Sequence, residues 1–156
     1  MGVEPQAYQR IVRMAKYLRQ GLFDVSGTNV VIGSELAKDL GITVGDKLRL
    51  VTVDGRNDLV SVAGIFDIGN RDLNRRWVFT SIKLAQTLLD LPGGITQLDL
   101  RVENLFAAET TARLLQAQHG VKVVASLKVD AVVPSGGAAA VLLLGADSAA
   151  APAFSI

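Results

Sequence analysis

The residues that could support catalysis or bind a metal ion are few and scattered. His119 is the only histidine among 156 residues, and the sequence contains no cysteine. Its place near the end of a predicted helix favours bonding to the last carbonyls over a catalytic role. The common zinc sites need several His or Cys ligands, and the dispersed carboxylates do not form a calcium loop. The sequence therefore predicts no catalytic residue, no metal site and no cofactor.

The most distinctive cluster is basic and lies beside the single tryptophan. Arg71, Arg75 and Arg76 lie in a predicted polar connection, Gly69–Arg76, and Trp77 follows directly. Arginine beside an aromatic ring is typical of protein–protein hot spots. One short basic loop in a chain of net charge +1 argues against nucleic-acid binding. These four residues are the candidates for contact with a partner; the simpler alternative, which their composition alone favours, is a solvated loop with Trp77 in the core.

The composition indicates a globular chain. Hydrophobic residues make up 49% and the mean hydropathy is +0.34, whereas aromatic residues make up only 5%. The longest uncharged run, Ala131–Ala146, is interrupted by Pro134 and two glycines and is shorter than the roughly 20 residues of a spanning helix. Met1–Gln20 lacks the apolar stretch of a signal peptide. We expect the printed chain to be soluble, in a compartment that cysteine usage does not identify.

A strand and a short helix are predicted at the centre of the chain. Asn29–Gly33 is a β-branched apolar run typical of a buried strand. Ser34 is predicted to cap the helix that follows, and Gly41 to end it. The apolar face of this helix is expected to bury Leu36, Ala37 and Leu40. On that interpretation, Leu40→Ala costs about 2–5 kcal/mol.

A hairpin is predicted next. Lys47–Val53 alternates polar and apolar residues, as a half-buried strand does. Asp54-Gly55 is a two-residue turn signal, and Leu59–Phe66 is the return strand. The central unit is therefore strand, short helix and hairpin.

These elements, in this order, resemble the periplasmic domain of FtsX-like ABC transporter permeases of the macrolide-exporter and lipoprotein-releasing type, the MacB-like periplasmic core domain. Residues 75–115 are similar to the second half of that domain, including a helix, a Gly-Gly turn and a strand ending in Leu-Arg-Val. The residues that match the pattern in the central unit are Gly33, Leu36, Ala37, Leu40, Gly41, Gly45, Asp46, Gly64, Phe66 and Gly69.

The resemblance implies a non-enzymatic domain on the periplasmic side of the bacterial inner membrane. Its implied partners are the transmembrane helices of the parent permease, a separate ATPase subunit, and a periplasmic protein or a lipidic or lipoprotein substrate. The transmembrane helices would lie outside the printed chain. In one lipoprotein-releasing subtype a long hairpin recruits the periplasmic carrier, but the tight turn Val53–Arg56 argues against that route here.

The remaining pattern predicts an α+β fold, a mixed β-sheet with helices packed on one face. We expect one domain with two lobes, a β-rich lobe at about 22–80 and an α/β lobe at about 81–156 that includes the N-terminal helix. The predicted flanking elements are helices Pro5–Arg19, Ile82–Leu91 (capped by Ser81) and Leu105–Gln118, and strands Trp77–Thr80, Ile95–Val102 and Val121–Ala125.

The last residues carry a pattern that the family has near its start. Val129–Ile156 predicts strands and turns, and in the permease domain a similar segment runs into a Gly-Val-x-Pro element. Here Gly2-Val3-Glu4-Pro5 opens the chain instead. We therefore predict a circular permutant with a joint near Ser126–Lys128, in which residues 152–156 are neighbours of residues 1–5.

Two other function classes stay open. One is a cytoplasmic small β-barrel binding module, closed by Asn29–Thr80 alone as a swapped-hairpin dimer. The other is a hydrolase with an unrecognised site, which would need a pocket that pairs His119 with a carboxylate.

Overall fold

The computed structural model describes residues 1–102, 108–119, 122–127 and 140–145. The chain forms two compact units, and the first comprises Met1–Gly94. The second begins at Ile95. The sequence interpretation drew the lobe boundary near residue 80 and grouped the N-terminal helix with the second lobe. The structure divides the chain after Gly94 and keeps that helix in the first unit.

The elements alternate irregularly between helix and strand. In the first unit they are β1 (Gly2–Val3), α1 (Pro5–Ile11), a 3₁₀ turn (Met14–Tyr17), β2 (Leu18–Gly21), β3 (Asn29–Gly33), α2 (Ser34–Leu40), β4 (Lys47–Val51), β5 (Asn57–Phe66), α3 (Arg71–Arg76), β6 (Val78–Ser81) and α4 (Ile82–Leu89). In the second unit they are β7 (Gln97–Val102), α5 (Ala108–His119), β8 (Lys122–Leu127) and β9 (Ala140–Gly145).

The first unit is built on a mixed six-stranded sheet. Its strand order is β1-β6-β3-β5-β2, with β4 also paired to β5. The β1/β6 and β3/β5 pairs are parallel and the others antiparallel. The chain is therefore an α+β protein, as predicted. The sheet recruits β1 and β2 from outside Asn29–Thr80, so it is not the barrel that the small-module alternative requires.

Alternation along β3 creates a hydrophobic core on each face of this sheet. Val30 and Ile32 are fully buried in one core together with residues of α2 and α4. Val31 points to the other face and is fully buried in the second core. Successive side chains of a strand project to opposite faces, so a run of β-branched residues buried on both sides is expected for a central strand.

The second core is aromatic and centres on Phe79. The Phe79 ring lies 5.2 Å from that of Phe66 and 5.6 Å from that of Phe23, both in edge-to-face geometry. Tyr8 and Trp77 lie 5.5 Å and 5.9 Å from the same ring. Edge-to-face pairs align positive ring edges with negative ring faces and add to the gain from burial.

The predicted helix Pro5–Arg19 is wrong in extent. The helix ends at Ile11, and Val12 is extended with φ of −121°. This break allows Met14, which is 2% exposed, to enter the aromatic core. The chain then forms edge strand β2, which pairs with β5. Pairing with the sheet overrides the helical periodicity of this segment.

Two predictions about the short helix α2 are wrong. Its N-cap is Gly33, and no side chain caps it, so the predicted Ser34 cap is wrong. Leu36 and Ala37 are buried, but Leu40 is 47% exposed, so the prediction that Leu40 lies in the core is wrong as well. Gly41 ends the helix in the left-handed conformation, as predicted.

The predicted hairpin and the predicted helix that begins at Ile82 are confirmed. Strands β4 and β5 pair from Lys47↔Ser61 to Val51↔Asn57, and Gly55 in the turn has φ of +80°. Ser81 Oγ accepts a hydrogen bond from Leu84 N and caps α4. That helix ends at Leu89, two residues earlier than predicted.

The second unit is a three-stranded antiparallel sheet with α5 packed on it. Its order is β7-β9-β8, so β9, the last described strand, lies in the middle. The helix predicted over Leu105–Gln118 appears as α5 from Ala108, and residues 105–107 lie outside the described part. The predicted strand pattern of Val129–Ile156 is described only at β9. The predicted proximity of residues 152–156 to the N-terminus lies outside the described residues.

Candidate functional site

The arginine cluster lies on a helix, not on the predicted polar connection. Asn70 Oδ1 accepts a hydrogen bond from Leu73 N at 3.1 Å and caps α3. Asp72 lies in the first turn and two arginines lie in the last, as the helix dipole favours. These are ordinary helix-start and helix-end signals, and they could have predicted α3 from the sequence. The strand after it begins at Val78, one residue later than predicted.

A close approach between backbones fixes α3 on the sheet. Gly33 ends β3, and a Cβ built on it would lie 2.0 Å from the Asn74 carbonyl oxygen. Gly33 N also donates to Trp77 O at 3.3 Å. The φ of Gly33 is −74°, which any residue can adopt. Glycine is therefore required here for space rather than for conformation.

A buried amide locks the same helix to the end of β5. Asn74 is 3% exposed, and its Nδ2 donates to Asp67 Oδ1 at 2.6 Å while its Oδ1 accepts from Ile68 N at 3.1 Å. The Gly69 N–H also donates to Asp67 Oδ1, at 2.9 Å. That backbone bond, followed by the Asn74 bond, lowers the pKa of Asp67. Sequence reasoning missed Asn74, because no local pattern marks a buried amide.

Two of the four predicted contact residues are paired with the neighbouring helix. Arg75 Nε lies 2.7 Å from Asp39 Oδ2, and an Arg71 nitrogen lies 3.4 Å from Glu35 Oε2. Lys38 contacts the other Glu35 oxygen at 2.8 Å, and this bond is the main cause of the lowered pKa of Glu35. Arg71 and Arg75 therefore link α3 to α2, at exposed positions where such pairs contribute little each.

The other two predicted residues are available to a partner. Arg76 is exposed and makes no ion pair within the described part of the chain. Trp77 is half-buried and lies edge-on to Phe79 at 5.9 Å. The structure thus separates the four residues into a pair that contacts α2, Arg71 and Arg75, and a pair that does not. The alternative that places Trp77 in the core holds in part, because its ring packs against the aromatic core, and the partner contact stays a prediction.

An open groove of about 540 Å³ lies between α2 and β2. Ala37, Ile42 and Ile65 line its apolar part, and Arg19 and Lys38 lie at its margin. Arg19 contacts Asp67 Oδ2 at 3.4 Å, so one cation is already paired. The groove lining contains no histidine and no paired carboxylates. Its chemistry suits weak binding of an apolar group better than acid–base catalysis.

The described residues add little on metals or membranes. No cluster of three or more potential metal ligands occurs among them, and none of their helices is long and apolar enough to cross a bilayer. His119 is the last residue of α5, as expected from its place at a helix end. No protein-family model matches this chain, and no curated protein is significantly similar to it.

Proposed function

We propose that this chain is the periplasmic domain of an FtsX-like ABC transporter permease. The observation that carries the proposal is the structural role of the glycines in the resemblance. A Cβ on Gly33 would overlap Asn74, and a Cβ on Gly64 would lie 2.4 Å from the Leu22 carbonyl oxygen. Gly41, Gly45 and Gly69 all have positive φ. The family-like residues therefore occupy positions that this fold needs, which supports the proposal.

The order of strands in the second unit supports the permuted arrangement that the resemblance implies. Strand β9 comes last among the described elements but lies between β7 and β8. In the permease domain the segment similar to it precedes the first helix. If β9 stood at that place in the sequence, it would precede both of the strands that flank it in the sheet, β7 and β8.

In this proposal the domain transmits motion and contacts a partner without turnover of its own. It lies on the periplasmic side, attached to the transmembrane helices of the parent permease, whose separate ATPase lies on the cytoplasmic side. Arg76 and Trp77 are the residues of the predicted cluster that remain for contact with a periplasmic protein or lipoprotein. Arg71 and Arg75 are instead paired with carboxylates of α2.

The first experiment tests the permuted order. A rearranged chain starts at Lys128, continues through Ile156 into Met1 and ends at Leu127. Because permutation preserves native contacts when the joined ends are close, we expect the same circular dichroism spectrum and an equal or higher thermal midpoint. A matched control opens the chain between Val62 and Ala63 in central strand β5 and should not fold. A Lys128 variant as unfolded as this control would refute the order.

The second experiment tests the function. The rearranged chain replaces the periplasmic domain of a lipoprotein-releasing-type permease, and an unrelated soluble domain of similar size serves as the control. We expect the hybrid with our chain to copurify with its ATPase subunit and to retain ATP hydrolysis. A hybrid that assembles no better than the control would count against the permease assignment. Arg76→Ser in the working hybrid should weaken partner association without changing the thermal midpoint.

A further inference from the structure

The segment that covers the aromatic core is uniformly basic. Residues 5–23 contain Arg10, Arg13, Lys16 and Arg19 but no Asp or Glu. All four cations are exposed, and their three-residue spacing spreads them over the segment. Arg19 is partly neutralised by Asp67 at 3.4 Å. The chain as a whole carries a net charge of only +1. The local excess of positive charge therefore reflects where these residues lie in the sequence, because the overall composition is not basic.

The polar aromatic side chains of the protein lie at the margin of this same core. The chain has two tyrosines and one tryptophan, and Tyr8, Tyr17 and Trp77 all pack, half-buried, against the aromatic core. Tyr8 and Trp77 both contact the ring of Phe79. A half-buried ring presents an apolar body together with a polar tip, which suits a surface between water and an apolar phase.

An exposed leucine and a cation beside an aromatic ring also belong to this surface. Leu22 is 72% exposed, and it directly precedes Phe23, whose ring stacks on Tyr8 at 6.2 Å. Lys16 Nζ lies 4.8 Å from the centre of the Tyr17 ring. We name the surface formed by Tyr8, Arg13, Lys16, Tyr17, Leu22 and Trp77 the basic aromatic face.

We propose that the basic aromatic face binds the surface of an anionic lipid bilayer. Cations attract anionic headgroups, tyrosine and tryptophan favour the headgroup level, and one exposed leucine can enter the acyl boundary. An acidic protein would offer similar charge complementarity. The bilayer is favoured because the cations are spread along the segment and the same segment carries an apolar side chain, Leu22, that is 72% exposed. The inference goes beyond the permease proposal and does not depend on it, since it concerns the first unit alone.

Vesicle binding of the full chain tests this inference, and Trp77 is its reporter because it is the only tryptophan. The probes are vesicles of phosphatidylglycerol and phosphatidylethanolamine, compared with pure phosphatidylcholine. We expect the protein to sediment with the anionic vesicles only. Binding should be lost in about 0.5 M salt, because that concentration screens charges much more strongly than physiological salt does. Brominated acyl chains in the anionic vesicles should quench Trp77 emission, because its ring would lie near the headgroup boundary.

Two double variants that each remove two positive charges distinguish binding by this face from general electrostatic attraction of the chain to the vesicles. Arg13→Gln with Lys16→Gln removes one arginine and one lysine from the face and should lower the partition coefficient by about 10- to 30-fold, at about fivefold per cation. Lys47→Gln with Arg49→Gln removes the same two types from the β4–β5 hairpin, where both are exposed, and should change it less than about twofold. Leu22→Ser should reduce quenching as well as binding.

Several outcomes would overturn the proposal. They are absence of binding to anionic vesicles, equal losses in the two double variants, or binding without quenching of Trp77. Binding to a polyglutamate peptide in place of the vesicles would assign the face to an acidic polypeptide instead. None of these outcomes bears on the hybrid-permease experiment, so failure of either proposal can be recognised separately.

Discussion

Replacing Gly33 by alanine should detach α3 from the sheet. The added Cβ would lie 2.0 Å from the Asn74 carbonyl oxygen, 2.5 Å from its carbonyl carbon and 2.6 Å from its Cα. All three are backbone atoms, so no side-chain rotation relieves the overlap. Cβ atoms in proteins essentially never lie closer than 3.0 Å to such an atom, so α3 must move by about 1 Å or more.

The cost follows from the bonds that such a movement breaks. A shift of that size would carry the 2.6 Å bond from Asn74 Nδ2 to Asp67 beyond hydrogen-bonding distance. Leaving a buried polar group unpaired costs about 1–3 kcal/mol, and overpacking adds a comparable amount. We expect Gly33→Ala to lower the free energy of unfolding by about 2–5 kcal/mol. With a urea slope of about 2 kcal/mol/M, the midpoint should fall by about 1–2.5 M.

The assay is urea denaturation followed by the fluorescence of Trp77, which lies in the first unit and reports its unfolding. The matched control is Ser34→Ala, one residue along, where the structure shows no capping bond. That change should stay within about 0.5 kcal/mol, the usual range for surface substitutions. Equal midpoints for the two variants would refute the close-approach argument. A loss of about 1 kcal/mol in Ser34→Ala would instead restore the predicted cap.

The remaining predictions concern single side chains of the first unit. Leu36→Ala should cost about 2–5 kcal/mol, whereas Leu40→Ala should cost less than about 1 kcal/mol, because Leu36 is 4% and Leu40 47% exposed; paired denaturation curves compare them. The pKa of Asp67 is lowered from 3.8, so its contribution to stability is present above that pH and is lost as pH falls through the lower, folded-state pKa. The urea midpoint should therefore fall less steeply below about pH 4 in Asp67→Asn than in the wild type, and equal slopes would contradict this. Thr80 Oγ1 is buried without a hydrogen-bond partner in the described structure, so Thr80→Val should be neutral or stabilising in a thermal melt; a marked loss would reveal a bond to that hydroxyl.

Local patterns predicted the elements whose conformation depends on neighbouring residues in the sequence. The β4–β5 hairpin follows from strand alternation and from Asp54-Gly55, since a tight turn fixes the register of its own strands. The end of α2 at Gly41 and the start of α4 at Ser81 likewise rest on backbone groups within a few residues. The same type of signal was present for α3, at Asn70, but a high density of arginines suggested a loop.

Distant partners decided the rest. Helical periodicity continues past Ile11, yet the chain leaves the helix because Met14 gains more by entering the aromatic core and β2 gains a partner in β5. Leu40 has the spacing of a core residue, but no other element covers it well enough to bury it, and it stays 47% exposed.

Of the candidate site, the sequence determined the residue types and their place beside Trp77. Only the tertiary structure decided that Arg71 and Arg75 pair with α2 while Arg76 and Trp77 do not. The partners of these arginines, Glu35 and Asp39, each lie 36 positions away in the sequence. Propensity and periodicity act over a few residues, whereas the position of a charge relative to such a partner is set by how the sheet and its helices pack.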